Sequence, residues 1–471
     1  MPADSPARAT ARETIALLTG AAGFTEHRPP SHPLPPDGPL GWAGYDAARE
    51  RAASRTGEEE SVVYGTGVVG DRACVLLAFE FGFLGGSLGR LTGDRLAAAY
   101  ELALTRRLPL LALVATGGSR MQEGMVALTQ LQRVAAASTR LRAAGLPQIA
   151  VVRDPTTGGG WATVGAGADV VLALPGAQVG FAGSRVRPAD ADPHAYSAEG
   201  QFAAGQVDAV VPPGELALTV THWLRALGPH TVADMPRPDP HAVTGAPRAA
   251  APDALPAAPL PRALSAVRLP ETGREAVAAA RDPLRPRAEA YLADYFAVRL
   301  PLHGDRCGST DPGLLCGFGL RADGLPVAYV AQCGTPTRPA GYRAAARTIR
   351  LADRLGIPVL TLIDTPGAAN DAEAERAGAG AAIADAFAAV AAARVPVTTL
   401  VIGEGGSGGA LALAAPDNTH VTADSYFSVI APELAAAILK RPPSETGATA
   451  DQLRLRPQDL LELGFARSIV S

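Results

Sequence analysis

Short runs of Val, Ile and Leu alternate with longer Ala-rich stretches along the chain from Ser61 onward. The strands of a parallel sheet are continuous apolar runs, because helices cover both faces of such a sheet. The alternation therefore predicts βα units and an α/β fold. Before it, residues 7–19 predict a short amphipathic helix, and the proline-rich segment 29–40 predicts an irregular stretch.

A second proline-rich segment divides the chain near its middle. Eight prolines lie between Pro236 and Pro261, a density that neither a helix nor a central strand accommodates. We therefore expect a semi-rigid linker over residues 236–264. It would join an N-terminal domain, residues 1–235, to a C-terminal domain, residues 265–471.

The two halves carry the same pattern in the same register. Leu108-Pro109 opens the apolar run 110–114, and Ile357-Pro358 opens the run 359–363, an offset of 249 positions. Leu146-Pro147 and Val395-Pro396 open two further runs at the same offset. Any α/β protein repeats strand and helix, but it does not keep one register over two strands and the turns after them. The shared offset indicates an internal duplication of one domain.

Each half also has two glycine-rich turns where a predicted strand ends and a helix can begin. Glycine lets the backbone take φ > 0 and lets a ligand approach closely, and free N–H groups at a helix start attract negative charge. Tight packing of helix on strand also favours glycine, but five glycines within residues 403–409 leave little side chain to pack. We therefore expect each half to hold an oxyanion with backbone N–H groups. The candidate residues are Gly117, Gly118, Gly158, Gly159, Gly367, Ala368, Gly405, Gly406, Gly408 and Gly409.

Other chemistries fit these turns less well. No G-K-[ST] follows them, which excludes a Walker A loop, and no G-x-G-x-x-G has an acidic residue placed for a ribose. Ser407 in G-G-S-G-G resembles the nucleophile of the G-x-S-x-G elbow, which needs a downstream acid and then a histidine. Only His420 follows, with Asp417 beside it, so a hydrolase is a minor alternative.

Composition narrows the function classes further. The net charge of −4 and the pI of about 6.1 do not favour a nucleic-acid-binding surface. The four cysteines form no C-x-x-C pair, so we expect no metal site, and so few cysteines fit a reducing compartment. Residues 1–14 lack the apolar core of a signal peptide and no membrane-spanning apolar stretch follows, so we expect a cytoplasmic protein.

Longer motifs surround the glycine turns and identify a family. In the first half they occupy residues 79–81, 85–89, 116–124, 154–159 and 180–186. In the second half they occupy residues 302–306, 341–343, 363–368, 402–411 and 428–433. The first set resembles the beta subunit of the carboxyltransferase of bacterial acetyl-CoA carboxylase, and the second set resembles the alpha subunit. The chain thus resembles the biotin-dependent acyl-CoA carboxyltransferases, with both subunits fused.

The resemblance implies a fold and a reaction. The fold is two tandem crotonase-like domains, the ClpP/crotonase spiral of ββα units, which agrees with the duplication. The reaction transfers a carboxyl group from carboxybiotin to the α-carbon of acetyl-CoA or a related short acyl thioester. Carboxybiotin releases CO2 and its ureido nitrogen takes the α-proton, so little is needed from side chains and no catalytic base is expected.

The resemblance also assigns the residues of the site. The first-half turns, at Gly117-Gly118 and Gly158-Gly159, would hold the thioester oxygen. The second-half turns, at Gly367-Ala368 and residues 405–409, would hold the biotin ureido oxygen. Further substrate contacts are expected from Ser119, Arg120, Gln122 and Arg185.

The chain departs from the family in several places. It lacks the four-cysteine zinc ribbon of the beta subunit, the basic loop of the alpha subunit is shortened to residues 332–336, and residues 368–371 lack the family's tyrosine and glycines. It has neither a biotinylation motif nor an ATP-grasp domain, so biotin would arrive on a separate biotin carboxyl carrier protein that is served by a biotin carboxylase. The family also implies a homodimer or a higher even oligomer. Two alternatives are a malonyl-thioester decarboxylase and a non-catalytic subunit that binds an acyl thioester.

Overall fold

The computed structural model describes residues 8–20, 23–29, 33–184, 187–188, 190–228, 256–265 and 268–470. The chain divides into two compact units, Met1–Pro229 and His230–Ser471. Residues 236–255 of the predicted linker lie outside the described ranges. Across these ranges every helix falls short of the length or the apolar character that a membrane span requires.

The first unit is built on an eight-stranded mixed sheet. Its strands are β1 Phe24–His27, β2 Val62–Val69, β3 Arg72–Phe79, β4 Leu110–Thr116, β5 Gln148–Thr157, β6 Val170–Ala173, β7 Val179–Gly180 and β8 Ala209–Val210. The strand order is β1-β2-β3-β4-β5-β6-β8, and β7 pairs with the end of β5. The first two pairs are antiparallel and the others are parallel. Its helices are α1 Ala11–Thr19, α2 Tyr45–Thr56, α3 Arg90–Arg106, α4 Gly124–Leu128, α5 Gln130–Ala143, α6 Gly158–Gly160, α7 Ala198–Ala203 and α8 Pro213–Leu227.

The second unit repeats this sheet. Its strands are β9 Val298–Pro301, β10 Leu314–Leu320, β11 Pro326–Gln332, β12 Val359–Thr365, β13 Val397–Gly406, β14 Thr419–Thr422, β15 Tyr426–Ser428 and β16 Ile469–Val470. The order β9-β10-β11-β12-β13-β14-β16, with β15 beside β13, has the same directions as the first sheet. Its helices are α9 Gly273–Ala280, α10 Ala288–Tyr295, α11 Pro339–Leu355, α12 Ala372–Arg376, α13 Ala379–Ala392, α14 Ser407–Leu411, α15 Pro432–Ile438, α16 Thr446–Gln452 and α17 Pro457–Glu462.

The duplication extends to the pairing of individual residues. Leu110 pairs with Gln148 in the first sheet, and Val359 pairs with Val397 in the second, at the predicted offset of 249 positions. The register also shifts at equivalent points, just before Thr116 in β4 and just before Thr365 in β12. The shift bends each strand where it leads into its first glycine turn.

The predicted apolar runs all lie in strands, but the strands are longer than the runs. β5 continues to Thr157 and β13 to Gly406, because short strands pair with their polar and glycine-rich ends. The predicted helix at 7–19 begins only at Ala11. Thr10 and Glu13 form a reciprocal capping box that fixes its start.

The buried side chains lie on both faces of each sheet. All seven residues of β4, β11 and β12 are buried, and Cys74 is a fully buried core residue as predicted. Residues 256–264 of the predicted linker lie against the second unit. Ala258 is buried there, and the carbonyl of Pro259 accepts a hydrogen bond from Tyr295 Oη at 2.8 Å.

Candidate active site

The first turn of the first unit follows Thr116, the last residue of β4. Thr116 Oγ1 accepts the N–H of Gly118 at 3.0 Å, and the N–H of Gly117 donates to the carbonyl of Gly85 at 2.8 Å. Both glycine N–H groups are therefore used inside the chain. Gly118 has φ +102°, so the turn requires glycine at this position.

The next residues form a short bridge to Leu88. The N–H of Leu88 donates to the carbonyl of Gly118, and the N–H of Arg120 donates to the carbonyl of Leu88, both at 2.8 Å. Ser119 lies between them in a parallel bridge with Leu88. In a parallel bridge, the residues before and after Ser119 make the hydrogen bonds to Leu88. The N–H of Ser119 therefore points away from Leu88.

The second turn of the first unit lies on the side of Ser119 that faces away from Leu88. The N–H of Gly158 donates to the carbonyl of Phe181 at 3.0 Å, and α6 begins here with Gly158 at φ +63°. The N–H of Gly159 belongs to the first turn of the helix and has no intrahelical acceptor. A Cβ on Gly118 would lie 3.8 Å from the nitrogen of Gly159. The turn at Gly118 and the helix start at Gly159 thus lie side by side.

The first turn of the second unit repeats the threonine bond and the bridge of the first unit, whereas Pro366, at the position of Gly117, has no N–H to donate. Thr365 Oγ1 accepts the N–H of Gly367 at 3.1 Å. The N–H of Thr337 donates to the carbonyl of Gly367 at 3.1 Å, and the N–H of Ala369 donates to the carbonyl of Thr337 at 2.9 Å. Ala368 forms the parallel bridge with Thr337, so its N–H points away like that of Ser119.

The second turn of this unit brings α14 to Ala368. Ser407 starts the helix with φ +56°. Gly408 is exposed, and a Cβ on it would meet no heavy atom within 4 Å. A Cβ on Gly409 would lie 2.3 Å from the nitrogen of Ala368. Ala368 therefore lies against the start of α14 at Gly409, next to the open space at Gly408.

Gly405 and Gly406 lie elsewhere than predicted. They are the last residues of β13 and pair with Phe427 and Ser428 of β15, so they belong to the sheet and not to the helix start. A Cβ on Gly406 would lie 2.0 Å from the carbonyl oxygen of Pro366. Glycine here lets the two turns touch.

The structure thus corrects which residues of the turns present free donors. The prediction of free N–H groups is wrong for four residues, since each donates inside the chain: Gly117, Gly118, Gly158 and Gly367. The positive φ in the last turn lies at Ser407, whereas Gly408, where it was expected, has no positive φ. The remaining candidate donors are Ser119 with Gly159, which is buried, and Ala368 with Gly408, which is exposed. They are again 249 positions apart.

Arg120 does not face the site, contrary to prediction. Its side chain is fully buried, with Nη2 2.5 Å from Glu60 Oε1 and Nη1 3.5 Å from Glu123 Oε1. Tyr45 Oη donates to the same Glu123 oxygen at 2.5 Å. Burial alone would raise the pKa of Glu60, but the charge and hydrogen bonds of Arg120 hold that pKa below its ordinary value. This buried cluster holds Arg120 in place and thereby stabilises the first turn, which Arg120 follows.

The other predicted substrate contacts have different positions. Ser119 and Gln122 are half-buried in the segment between β4 and α4. Arg185 lies outside the described residues. Among the described residues, no group of three or more His, Cys, Asp and Glu side chains is placed to hold a metal ion.

A second buried ion pair supports the second unit and was missed by sequence reasoning. Asp364, next to the end of β12, lies 2.5 Å from Arg285 Nη2 and 3.4 Å from Arg287 Nη1. It also accepts the N–H of Glu404 at 3.2 Å. Burial raises the pKa of Asp364 despite the two arginines. The carboxylate joins the ends of β12 and β13, and its main partner is 79 residues away in sequence.

The hydrolase alternative has no support in this geometry. His420 lies in β14, where Nδ1 is 2.7 Å from Ser468 Oγ and Nε2 is 3.1 Å from Asn418 Oδ1. Burial lowers the pKa of His420. Both ring nitrogens are occupied by these partners, so Ser407 has no base from this histidine.

Two family descriptions match the chain. Residues 40–253 match the carboxyl transferase domain, and residues 271–471 match the acetyl co-enzyme A carboxylase carboxyltransferase-like family. An acetyl-coenzyme A carboxylase carboxyl transferase subunits beta/alpha protein of Saccharopolyspora erythraea is 37% identical over 471 residues, covering 95% of this chain and 75% of that protein. Its counterpart in Salinispora arenicola is 37% identical over 479 residues, covering 98% and 82%.

Solved structures show the same fold. Transcarboxylase 12S, with methylmalonyl-coenzyme A and methylmalonic acid bound, superimposes with a TM-score of 0.76 at 20% identity, covering 98% of this chain and 87% of that one. A single-chain, multi-domain long-chain acyl-CoA carboxylase gives a TM-score of 0.73 at 19% identity, covering 98% and 45%. The predicted fold of two crotonase-like domains is confirmed.

Proposed function

Because the chain belongs to the acetyl-CoA carboxylase carboxyltransferase family, with beta-like and alpha-like halves in one polypeptide, we propose a division of labour between its halves. The chain is a carboxyltransferase component of the biotin-dependent acyl-CoA carboxylases. In our proposal its first half holds the thioester oxygen of a short acyl-CoA. Its second half holds the ureido oxygen of biotin carried by a separate protein. The product is a malonyl-type thioester.

One observation carries this proposal: in each half the same threonine bond and the same bridge leave the N–H of one residue, Ser119 or Ala368, beside a helix start. Carboxyl transfer needs negative charge stabilised on two oxygens, the thioester enolate oxygen and the ureido oxygen. Ser119 and Gly159 would hold the first, and Ala368 and Gly408 the second. Two equivalent donor pairs match two oxyanions.

The second pair also has open space beside it. No heavy atom lies within 4 Å of the position that a Cβ on Gly408 would take, and Gly408 itself is exposed. When bound, carboxybiotin supplies the carboxyl group and a nitrogen that accepts the α-proton. The contribution of the chain is then to hold and orient two oxygens with fixed dipoles.

The two alternatives explain less of the structure. A malonyl-thioester decarboxylase needs only the first donor pair, and a binding subunit needs neither pair to stabilise charge. Neither gives a reason for the second unit to keep the threonine bond and the bridge that orient the donor of the first unit. The duplicated geometry therefore favours transfer between two bound partners.

We expect an even-numbered homo-oligomer. Large apolar side chains are exposed near both sites, with Met121 and Phe181 67% and 72% exposed in the first unit and Ile438 and Val429 71% and 73% exposed in the second. Exposed patches of this kind mark association surfaces. Light scattering at micromolar concentration should give an even multiple of the chain mass, and a monomer would contradict this expectation.

The reaction itself is tested in the forward direction. The protein is combined with a biotin carboxylase, a biotinylated carrier protein, ATP and bicarbonate, and offered acetyl-, propionyl- and butyryl-CoA. We expect a carboxylated thioester whose formation requires both the carrier and ATP. If acyl-CoA binds but no carboxylated product forms with any of the three, the transferase proposal is wrong. The same proposal places the reaction in the cytoplasm, where the free cysteines of the chain stay reduced.

A further inference from the structure

Two threonines end the strands that lead into the sites, and neither was among the predicted site residues. Thr116 ends β4 and Thr365 ends β12, and both are fully buried. Each Oγ1 accepts the N–H of the glycine two residues further on, Gly118 or Gly367. We propose that Thr116 and Thr365 are positioning residues that aim the free N–H donors of Ser119 and Ala368. The inference rests on the proposed function.

The need for such a residue follows from the glycines. Gly118 and Gly367 have φ of +102° and +141°, and glycine can leave these values at little steric cost. A freely rotating peptide here would turn the next N–H away from the ligand. The threonine hydroxyl prevents this by pairing with the glycine N–H, which would otherwise be a buried donor without an acceptor.

The bridge that follows completes the orientation. In the first unit, the N–H of Gly118 goes to Thr116, and the N–H of Arg120 goes to Leu88. With the residues on both sides fixed, the N–H of Ser119 between them has one direction left. The second unit fixes Ala368 in the same way, between the Thr365 and Thr337 bonds.

Each threonine is itself held in place. Thr365 Oγ1 lies 2.8 Å from the carbonyl oxygen of Thr335, to which it can donate. Thr116 packs against the helix start that carries Gly159, because a Cβ on Gly160 would lie 2.4 Å from Thr116 Cγ2. Both threonine side chains are therefore held in position, and each can orient the turn that follows it.

The role of Thr116 is tested by binding. Acetyl-CoA and S-ethyl-CoA, a thioether without the carbonyl, are titrated into the full-length protein, its Thr116→Val variant and its Thr116→Ser variant. We expect the wild type to prefer acetyl-CoA and Thr116→Val to lose roughly 3- to 10-fold of that preference. Thr116→Ser, which keeps the hydroxyl, should restore it.

The ratio of the Kd values for S-ethyl-CoA and acetyl-CoA distinguishes failure of the proposed function from failure of this inference. A wild type without preference for the carbonyl would overturn the proposed first-half site itself. A Thr116→Val variant that binds both ligands more weakly by the same factor, or keeps the wild-type preference, would show a merely structural role and overturn this inference alone.

The role of Thr365 is tested with free biotin as the acceptor of the malonyl-CoA carboxyl group. Thr365→Val should raise KM for biotin and lower kcat, so that kcat/KM for biotin falls by about tenfold. Kd for acetyl-CoA should stay at the wild-type value. Thr365→Ser should recover the rate. Equal effects on biotin turnover and acetyl-CoA binding, or no effect on either, would overturn the inference.

Matched controls come from two threonines in helices. Thr221 and Thr348 donate only to the carbonyl four residues earlier, at 2.7 and 2.9 Å. Thr221→Val in the first unit and Thr348→Val in the second remove a hydroxyl from each unit without touching the turns. Both variants should keep the carbonyl preference and the biotin KM of the wild type, and a control variant that changes either would overturn the assignment to the turns.

Discussion

Gly408→Val should reduce carboxyl transfer involving biotin by about 100-fold or more while leaving acyl-CoA binding intact. The added side chain would occupy the open space in front of the N–H groups of Gly408 and Ala368. Its Cβ would have no heavy atom within 4 Å beyond the neighbouring residues and the backbone of its own helix. The backbone needs no special φ at this position, so the variant should fold. The rate with free biotin and malonyl-CoA, beside Kd for acetyl-CoA, measures the effect.

Gly380 provides the matched control for this variant. It lies in α13, is exposed, and likewise has no heavy atom within 4 Å of the position that a Cβ would take. Gly380→Val should therefore keep the wild-type rate. If Gly408→Val is folded and also transfers at that rate, the second half does not hold the biotin oxygen. Gly159→Val is a less clean mirror, because its Cβ would lie 2.5 Å from Leu131 Cδ1.

Arg120→Met should destabilise the first unit by about 3–5 kcal/mol, the cost of leaving a buried charge without its partner. Glu60 would remain in the interior with its carboxylate 1% exposed and no cation in contact. Denaturant unfolding of the variant, followed by a probe in the first unit, measures the loss. Arg120→Lys keeps the charge but loses the paired hydrogen bonds, so its loss should be intermediate.

An exposed ion pair of the first unit is the control for this loss of stability. Arg225 lies 2.9 Å from Asp71, with the two side chains 40% and 57% exposed. Arg225→Met should cost no more than about 1 kcal/mol. If Arg120→Lys is as stable as the wild type but binds acyl-CoA much more weakly, then Arg120 contacts the substrate and is not only a partner of Glu60.

The strands and the duplication were accessible from the sequence because burial on both faces leaves a direct signal. The apolar runs at 110–114 and 359–363 mark strands, and their common register predicts the two equivalent sheets. The ends of the strands were not accessible. Thr157 and Gly406 belong to strands only because short partner strands pair with them, and such pairing is a tertiary property.

The turns of the site were found from sequence, but the sequence did not distinguish the proposed donors Gly159, Ala368 and Gly408 from their neighbours in the turns. Which N–H is free depends on which others already have acceptors, and those acceptors come from distant segments such as Gly85, Leu88 and Phe181. One local signal was present: a threonine stands two residues before the turn glycine in both halves. That spacing favours a side-chain turn.

Arg120 shows why a charge beside a motif is weak evidence for a substrate contact. Its main partner, Glu60, is 60 residues earlier in the chain, just before the first apolar run. Nothing in the local sequence separates an arginine that faces solvent from one that neutralises a buried carboxylate. Only the fold brings the pair together.

The central claim is that this chain moves a carboxyl group between an acyl-CoA and biotin, using one donor pair for each. Malonyl-CoA labelled with 13C at its free carboxyl, incubated with the protein in the presence and absence of free biotin, tests it most directly. We expect acetyl-CoA and labelled carboxybiotin when biotin is present, and little turnover when it is absent. Release of labelled CO2 at the same rate without biotin would instead identify a decarboxylase.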